Sequence, residues 1–401
     1  MSDRLSQRAL NRALLERQHL LQRRNASAVD EIEHLVALQA QVPNAPYVGL
    51  WTRLEGFQPN ELSELISRRH AVRLGILRNT LHLMTARDAL ALRPMFQPLL
   101  ERALRSSPFG RNLVGLDVEA LIGEADRLLS TKPRTLTELG AALHHRWPDR
   151  QATSLAYAIR HLVPLVQLPP RGLWGKSAQA TWSTAEHWLG QPLNDGASLE
   201  DLIRRYLAAF GPATIADFSA WSGLTGVRDA LQKLRPDLRT YRDERGRELF
   251  DVVDGPLPDP DTPAPPRFLP EYDNVLLGHD LRTRVIDPTY RYSIFLGTLL
   301  ADGFVQGTWT IERVRDVASL WIEPLRRLTR VERTAIAEEG ERLVSFAAAD
   351  APRREVRITA VAASPPRPGQ MSGAMRRRAR PRPSTSPRRA PPDPRSRRKS
   401  G

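Results

Sequence analysis

The chain has 401 residues, 59 basic against 45 acidic, and a formal net charge of +14. It contains no cysteine, which excludes disulfides, thiolate catalysis and Cys-based zinc sites. No stretch approaches the roughly 18 apolar residues of a membrane span, and the opening MSDRLSQRALNRALLERQHLLQRR lacks the apolar run of a secretory leader, so a cytoplasmic protein is expected. The charge is unevenly placed. Residues 351–401 carry 15 basic and 2 acidic side chains, whereas residues 1–350 carry 44 and 43. Affinity of the body for a polyanion must therefore come from local clustering rather than bulk charge. Arginine outnumbers lysine 55 to 4, as in bacteria with GC-rich genomes.

Residues 1–115 open the pattern. Helical spacing runs through Ala28 to Leu38, with Ile32, Leu35 and Val36 on the apolar face. Gln39, Ala40 and Gln41 follow. Pro43 biases Val42 away from the helical region, so Gln39 to Gln41 should be extended or at a helix end. Residues two apart share a face only on an extended segment. Tyr47 and Trp51 come next on a helix, where they fit a core or an aromatic platform. AVRLGILRNTLHLM then reads as a hairpin turning at Arg78 to Thr80, with His82 just beyond.

Residues 116–198 repeat the plan. TLTELGAALHHRW and SLAYAIRHLVPLVQL are helical, and a wing follows around Pro169 to Trp182 with only Arg171 and Lys176 as cations. Residues 199–256 show it most clearly. One helix ends in a turn at Ser222-Gly223, and a second carries Val227, Leu231 and Leu234 on one face. A hairpin across Asp243 to Gly246 closes the segment. These are three tandem winged helices (helix-turn-helix units), so the fold is mainly α with small β elements. A Pro-rich linker then leads into residues 257–350, where NVLLGH, SIFLGTLL, GFVQGTWTI and ASLWIEPL read as strands and Arg330 to Phe346 as a helix. Residues 351–401 are Pro- and Arg-rich, and their composition predicts a disordered basic tail suited to tethering a polyanion.

The segments LVALQAQVPNAPYVGLWTRLEGF, RNTLHLMTARDALALRP, PPRGLWGKSAQATW, FLPEYDNVLLGHDLRTRV and DGFVQGTWTIER, in this order, resemble the winged-helix DNA glycosylases of the AlkZ-like group. The resemblance covers roughly residues 8 to 350. It implies that Gln39 and Gln41 lie in a catalytic centre that cuts alkylated purines from DNA. It implies a C-terminal β-barrel-like domain packed on the winged helices, which bend around the duplex. It also places the first hairpin near DNA, with Arg78, Thr80 and His82 as phosphate or groove contacts. Tyr47, Arg171, Lys176 and Tyr272 are further candidate DNA contacts.

Glutamine has no group that titrates near neutral pH, so it cannot be a general base. It can hold a water beside C1′ of the deoxyribose. A purine alkylated at N7 or N3 is cationic and needs little protonation to leave, so positioning and electrostatics can supply much of the remaining barrier. Glu271 and Asp273 would share a face of a strand, either as an acid/base pair or as partners of Arg282 or Arg284. The body's lysines are Lys132, Lys176 and Lys233, none near the glutamines in sequence, which disfavours a Schiff-base lyase. The nine histidines show no ligand spacing. The expectation is a monomeric, monofunctional hydrolase without metal or cofactor, acting on double-stranded DNA with alkylated bases in the bacterial nucleoid. A non-enzymatic winged-helix regulator is the alternative, because tandem winged helices bind DNA in either case.

Overall fold

A computed structural model describes residues 4–361, which belong to one packed unit. Strand β1 (Arg4–Leu5) leads into the helix Gln7–Arg17, capped by Ser6, whose hydroxyl accepts from the Ala9 amide. The helix Ala28–His34 follows, capped by Ser27, with Ile32 fully buried. Beyond it lie β2 (Leu38–Gln39), β3 (Ala71–Gly75) and β4 (Leu81–Thr85). Strands β3 and β4 are the hairpin expected from the sequence, and a 3-10 turn at Leu77–Asn79 joins them.

The second segment supplies helices Val118–Thr131, Leu136–Arg146 and Ala152–Leu162, then β5 (Leu165–Gln167) and β6 (Trp182–Thr184). Its wing does not stand apart. Strand β5 pairs antiparallel with β3, placing Arg73 opposite Gln167, so both hairpins form one sheet in the order β2-β4-β3-β5-β6. The third segment has helices Ile215–Ser222 and Val227–Leu234, separated by Gly223 at φ +80°. Its hairpin is β7 (Leu238–Asp243) with β8 (Glu248–Val252), and β1 adds to its edge.

The last segment holds β9 (Arg267–Leu269), β10 (Gly297–Ala301), β11 (Phe304–Val314), β12 (Val317–Pro324), the helix Arg330–Ala347 and β13 (Arg353–Ile358). The order is β13-β12-β11-β10-β9, with no pairing between the two edges among the described residues. This is an open sheet, not the barrel-like closure expected, and the helix covers it through Ile336, Leu343 and Val344. Two further expectations change. NVLLGH is no strand: Asp273 caps a short helix, Asn274–Leu277. And Arg353–Ile358, assigned to the tail by composition, pair in parallel with β12 as an edge strand. The rest of the tail, residues 362–401, lies outside the described residues.

The cores cross the sequence boundaries. One joins Leu14 and Leu15 of the first segment to Tyr206, Phe210 and Trp221 of the third and to Leu276 and Val305 of the last. Another joins Ile32 and Leu50 to Phe268 and Leu320. A third, centred on Leu121, Leu139 and Leu155 of the second segment, also takes in Leu81 and Leu104 of the first. A truncation after residue 350 should therefore lower the thermal midpoint, because it strips β13 from the sheet. One after residue 361 should leave it unchanged. Thermal unfolding of the two proteins checks this.

Candidate active site

The two glutamines sit where the chain stops being a helix. Leu35 caps the helix Ala28–His34, and Val36 at φ +66° redirects the chain. Leu38 and Gln39 then pair antiparallel with Leu83 and His82. Ala40 continues the ladder by donating to the Leu81 carbonyl at 2.8 Å. The chain is extended at Leu38–Gln39, after the helix end that Pro43 suggested, and bends at Gln41. Gln39 is 7 % exposed, whereas Gln41 is exposed, and its Oε1 lies 3.4 Å from the Leu81 amide. Two side chains from elsewhere hold the backbone. Asn274 Nδ2 donates to the Ala37 carbonyl at 2.8 Å, and Arg73 Nη2 to the Ala40 carbonyl at 2.6 Å.

Beneath Gln39 lies a polar cluster from the first hairpin. Arg78 Nη2 donates to Gln39 Oε1 at 3.0 Å, and its Nη1 donates to the Trp221 carbonyl. Burial, and then the nearby Arg282, push Arg78 down to about 10, so it stays charged at neutral pH. His82 is fully buried. Burial, and next the Arg78 charge, drive it down to about 3, so it is neutral. Its Nδ1 lies 3.1 Å from the Thr80 carbonyl and so carries the proton, which leaves Nε2 as an acceptor 3.5 Å from Arg78. Both side chains turn in towards Gln39, His82 fully buried and Arg78 half-buried.

This histidine has a pH consequence. Its folded value lies below the ordinary one, so the unfolded state binds the extra proton. The stabilisation is complete above about pH 6.5 and is lost as pH falls towards 3, at up to about 1.4 kcal/mol per pH unit. His279, also buried and held down to about 3, adds to the same slope, so chemical unfolding at several pH values should show the fall and His82→Gln should make it shallower without abolishing it.

The facing wall comes from the segment after β9. Gln39, Pro46, Gly49, Pro270, Glu271 and Tyr272 line one small cleft. Tyr272, half-buried and at φ +60°, donates its amide to the Ile294 carbonyl at 2.9 Å and sets its ring edge-on to Phe295 at 5.6 Å. Its hydroxyl is raised, first by burial and then by Glu271. The two carboxylates of this segment separate in role. Asp273 is committed. Its oxygens take Arg53 Nη1 and Nη2 at 2.9 and 2.8 Å, and it also caps the following helix at Val275. Its partner is Arg53, not Arg282 or Arg284, and the expected shared strand face does not form. Glu271 remains in the cleft wall.

The remaining candidates lie elsewhere. Tyr47 is fully buried, with its hydroxyl 2.8 Å from the Gly172 carbonyl and 3.0 Å from Ser63 Oγ, so it offers DNA no surface in this conformation. Arg171 and Lys176 belong to the loop between β5 and β6, not to the cleft lining. Arg171 is half-buried and donates to the Ala178 carbonyl at 2.9 Å, whereas Lys176 is exposed. Thr80 Oγ1 closes the hairpin turn on the Leu77 carbonyl at 3.1 Å. The supporting residues Arg53, Arg73 and Asn274 carry no local sequence signal. Arg73 also donates to Gln167 across the shared sheet, and Gly172 at φ +96° leaves it room, since a Cβ there would lie 2.9 Å from its side chain.

Among the described residues no group of three or more His, Cys, Asp or Glu could hold a metal ion, and no helix is long and apolar enough to cross a membrane. The family model for AlkZ-like DNA glycosylases matches residues 32–346, most of the chain and both walls of the cleft. The chain belongs to the AlkZ-like DNA glycosylase family. Among AlkZ-like proteins it is similar to the interstrand DNA cross-link repair glycosylase of Streptomyces sahachiroi, with 26% identity over 326 residues, spanning 74% of this chain and 85% of that one. The solved structure of the Streptomyces sahachiroi DNA glycosylase AlkZ superposes with a TM-score of 0.70 at 20% identity, covering 89% of this chain and all of that one. The fold of that structure is thus shared over most of this chain.

Proposed function

We propose that this chain hydrolyses the N-glycosidic bond of purines alkylated at N7 or N3 in double-stranded DNA, with Gln39 and Gln41 at the reacting centre. The observation that carries the reading is the placement of Gln39. It is held on an extended strand by Arg73, Asn274 and Arg78, and it opens on a cleft that also contains Glu271 and Tyr272. Such preorganised hydrogen-bond groups serve a reaction that needs positioning more than proton transfer. A water oxygen bonds to C1′ as the C1′–N9 bond breaks. The bonding pair returns to the base and cancels its cationic charge, and the water's proton leaves to solvent. Glu271 adds negative charge beside a site where cationic character develops in the sugar. Among the described residues no lysine lines the cleft, which supports a monofunctional reading with the free base and an abasic site as products.

We read the three helix-and-hairpin segments as winged helices that form the DNA-binding body, of which several serve as scaffold. The family resemblance extends the substrate range to bulky adducts and interstrand crosslinks. The specificity has a direct test. With DNA carrying 7-methylguanine, uracil or hypoxanthine, the protein should release 7-methylguanine alone. Release of uracil or hypoxanthine without 7-methylguanine would overturn the substrate class.

Residues 362–401 hold 12 basic and 1 acidic side chains and are proposed as a sequence-independent tether for the polyanion. Phosphate contacts contribute through counterion release and weaken as salt rises. Truncation after residue 361 should weaken binding to undamaged DNA and make its salt dependence shallower. Single-turnover base release at saturating protein should not change. Binding titrations at several salt concentrations check both points.

A further inference from the structure

We infer that Arg78 is a positioning residue of the glycosylase centre: its guanidinium turns the Gln39 carboxamide so that the Nε2 amino group, and not the carbonyl, is offered to the substrate. The inference rests on the reading that Gln39 belongs to that centre. Arginine has five donors and no acceptor. The Gln39 atom 3.0 Å from Arg78 Nη2 is therefore the carbonyl oxygen, because the flipped amide would set N–H against N–H. That leaves Nε2 as the end of the carboxamide directed away from Arg78.

Arg78 is itself fixed from several sides. Its Nη1 satisfies the Trp221 carbonyl in the last turn of the helix Ile215–Ser222, one of the carbonyls a helix leaves without a partner. Its Nη2 lies 3.5 Å from the lone pair of neutral His82 Nε2. Its backbone occupies the left-handed region at φ 52°, ψ 23°, and Asn79 follows at φ 56°. A non-glycine residue holds that conformation at some cost, where the surrounding contacts require it. Here those contacts keep the guanidinium on Gln39. Because Trp221 belongs to the third segment, docking of that segment also sets the amide of the first.

The two glutamines therefore differ in role. A water attacking C1′ must have a proton drawn off by an acceptor, and a group held as a donor has the wrong polarity for that. Gln39 acts instead on acceptor atoms of the departing base or of the deoxyribose. The carbonyl that holds the water falls to Gln41, which is exposed and has only a long contact to the Leu81 amide.

The test is a double-mutant cycle read by single-turnover release of 7-methylguanine from duplex DNA. Gln39→Ala and Arg78→Met should each slow release by about 10²-fold, the cost of misplacing a reacting group by about an ångström. If Arg78 acts through Gln39, the double variant should be no slower than the worse single one. The protein concentration at half-saturation should move by less than about 3-fold, since the lost interaction is one of orientation. Arg78→Lys, which keeps the charge and a donor, should recover part of the rate, and it carries the cycle if Arg78→Met does not fold. Gln39→Glu should be as slow as Gln39→Ala, because a carboxylate cannot donate. Multiplicative losses in the double variant would overturn the positioning role. Near wild-type release by Gln39→Glu would overturn the donor assignment. A wild-type rate for Gln39→Ala would overturn the reading of the site itself, which separates that failure from the other two.

Discussion

Gln39→Ala and Gln41→Ala are each expected to lower single-turnover base release by on the order of 10²-fold or more, the loss typical of one preorganised hydrogen-bond group. The fold should persist in both. Gln41 is exposed and accepts the Leu81 amide only at 3.4 Å, so its loss should leave the thermal midpoint almost unchanged. Gln39 is 7 % exposed and accepts from Arg78, so its removal costs about 1–3 kcal/mol by leaving a buried donor short of a partner. That loss is small beside the expected fall in rate. Rate and thermal midpoint measured on the same preparations separate the two effects. Near wild-type release by both variants would remove the pair from the mechanism.

Asp273→Ala is expected to be the most damaging substitution for stability near the cleft. Asp273 and Arg53 form a two-point ion pair with both side chains almost fully buried. Removing the carboxylate leaves the Arg53 charge buried and costs about 3–5 kcal/mol. It also uncaps the helix Asn274–Leu277, whose Asn274 holds the backbone just before Gln39. Activity should therefore fall together with stability. Asp273→Asn keeps an acceptor for the cap and should cost less. Chemical unfolding of the two variants checks the order, and equal midpoints would contradict it.

The sequence carried the local parts of this architecture. Each hairpin was marked by turn residues between apolar runs, as at Asp243 to Gly246, because turn chemistry acts over a few neighbours. Pro43 marked the end of the helix before Gln39 for the same reason. NVLLGH was read as a strand, but its three apolar residues suit a strand or a single helical turn equally. The Asp273 cap decided for the turn, and its role was not visible from spacing. Strand β13 was hidden in a basic composition, and its apolar alternation is thin. What orders it is the pairing of Arg353 to Ile358 with Val317 to Ile322.

The candidate site shows the same division. Gln39, Gln41 and Tyr272 were singled out from sequence; Gln39 and Tyr272 line the cleft, whereas Gln41 lies outside its lining. The groups that hold them were not. Arg53 lies 220 residues from Asp273, and Arg73 lies 33 residues from Ala40, so neither partnership leaves a periodic trace. Arg78 and His82 were singled out as phosphate or groove contacts, and their bonds to Gln39 and to each other were not foreseen. A hairpin tip is exposed by default, but here His82 is buried and Arg78 is half-buried, with its guanidinium held by the Trp221 carbonyl of the third segment.

The central claim is that this AlkZ-like chain breaks a glycosidic bond instead of only binding DNA. The most direct measurement uses a duplex with one N7-methylguanine and protein in saturating excess, assayed for alkali-labile abasic sites over time. Abasic sites should accumulate to completion without added metal or cofactor, at a rate independent of protein concentration. A protein that binds this duplex to saturation yet leaves every site intact would be a DNA-binding protein without the proposed chemistry.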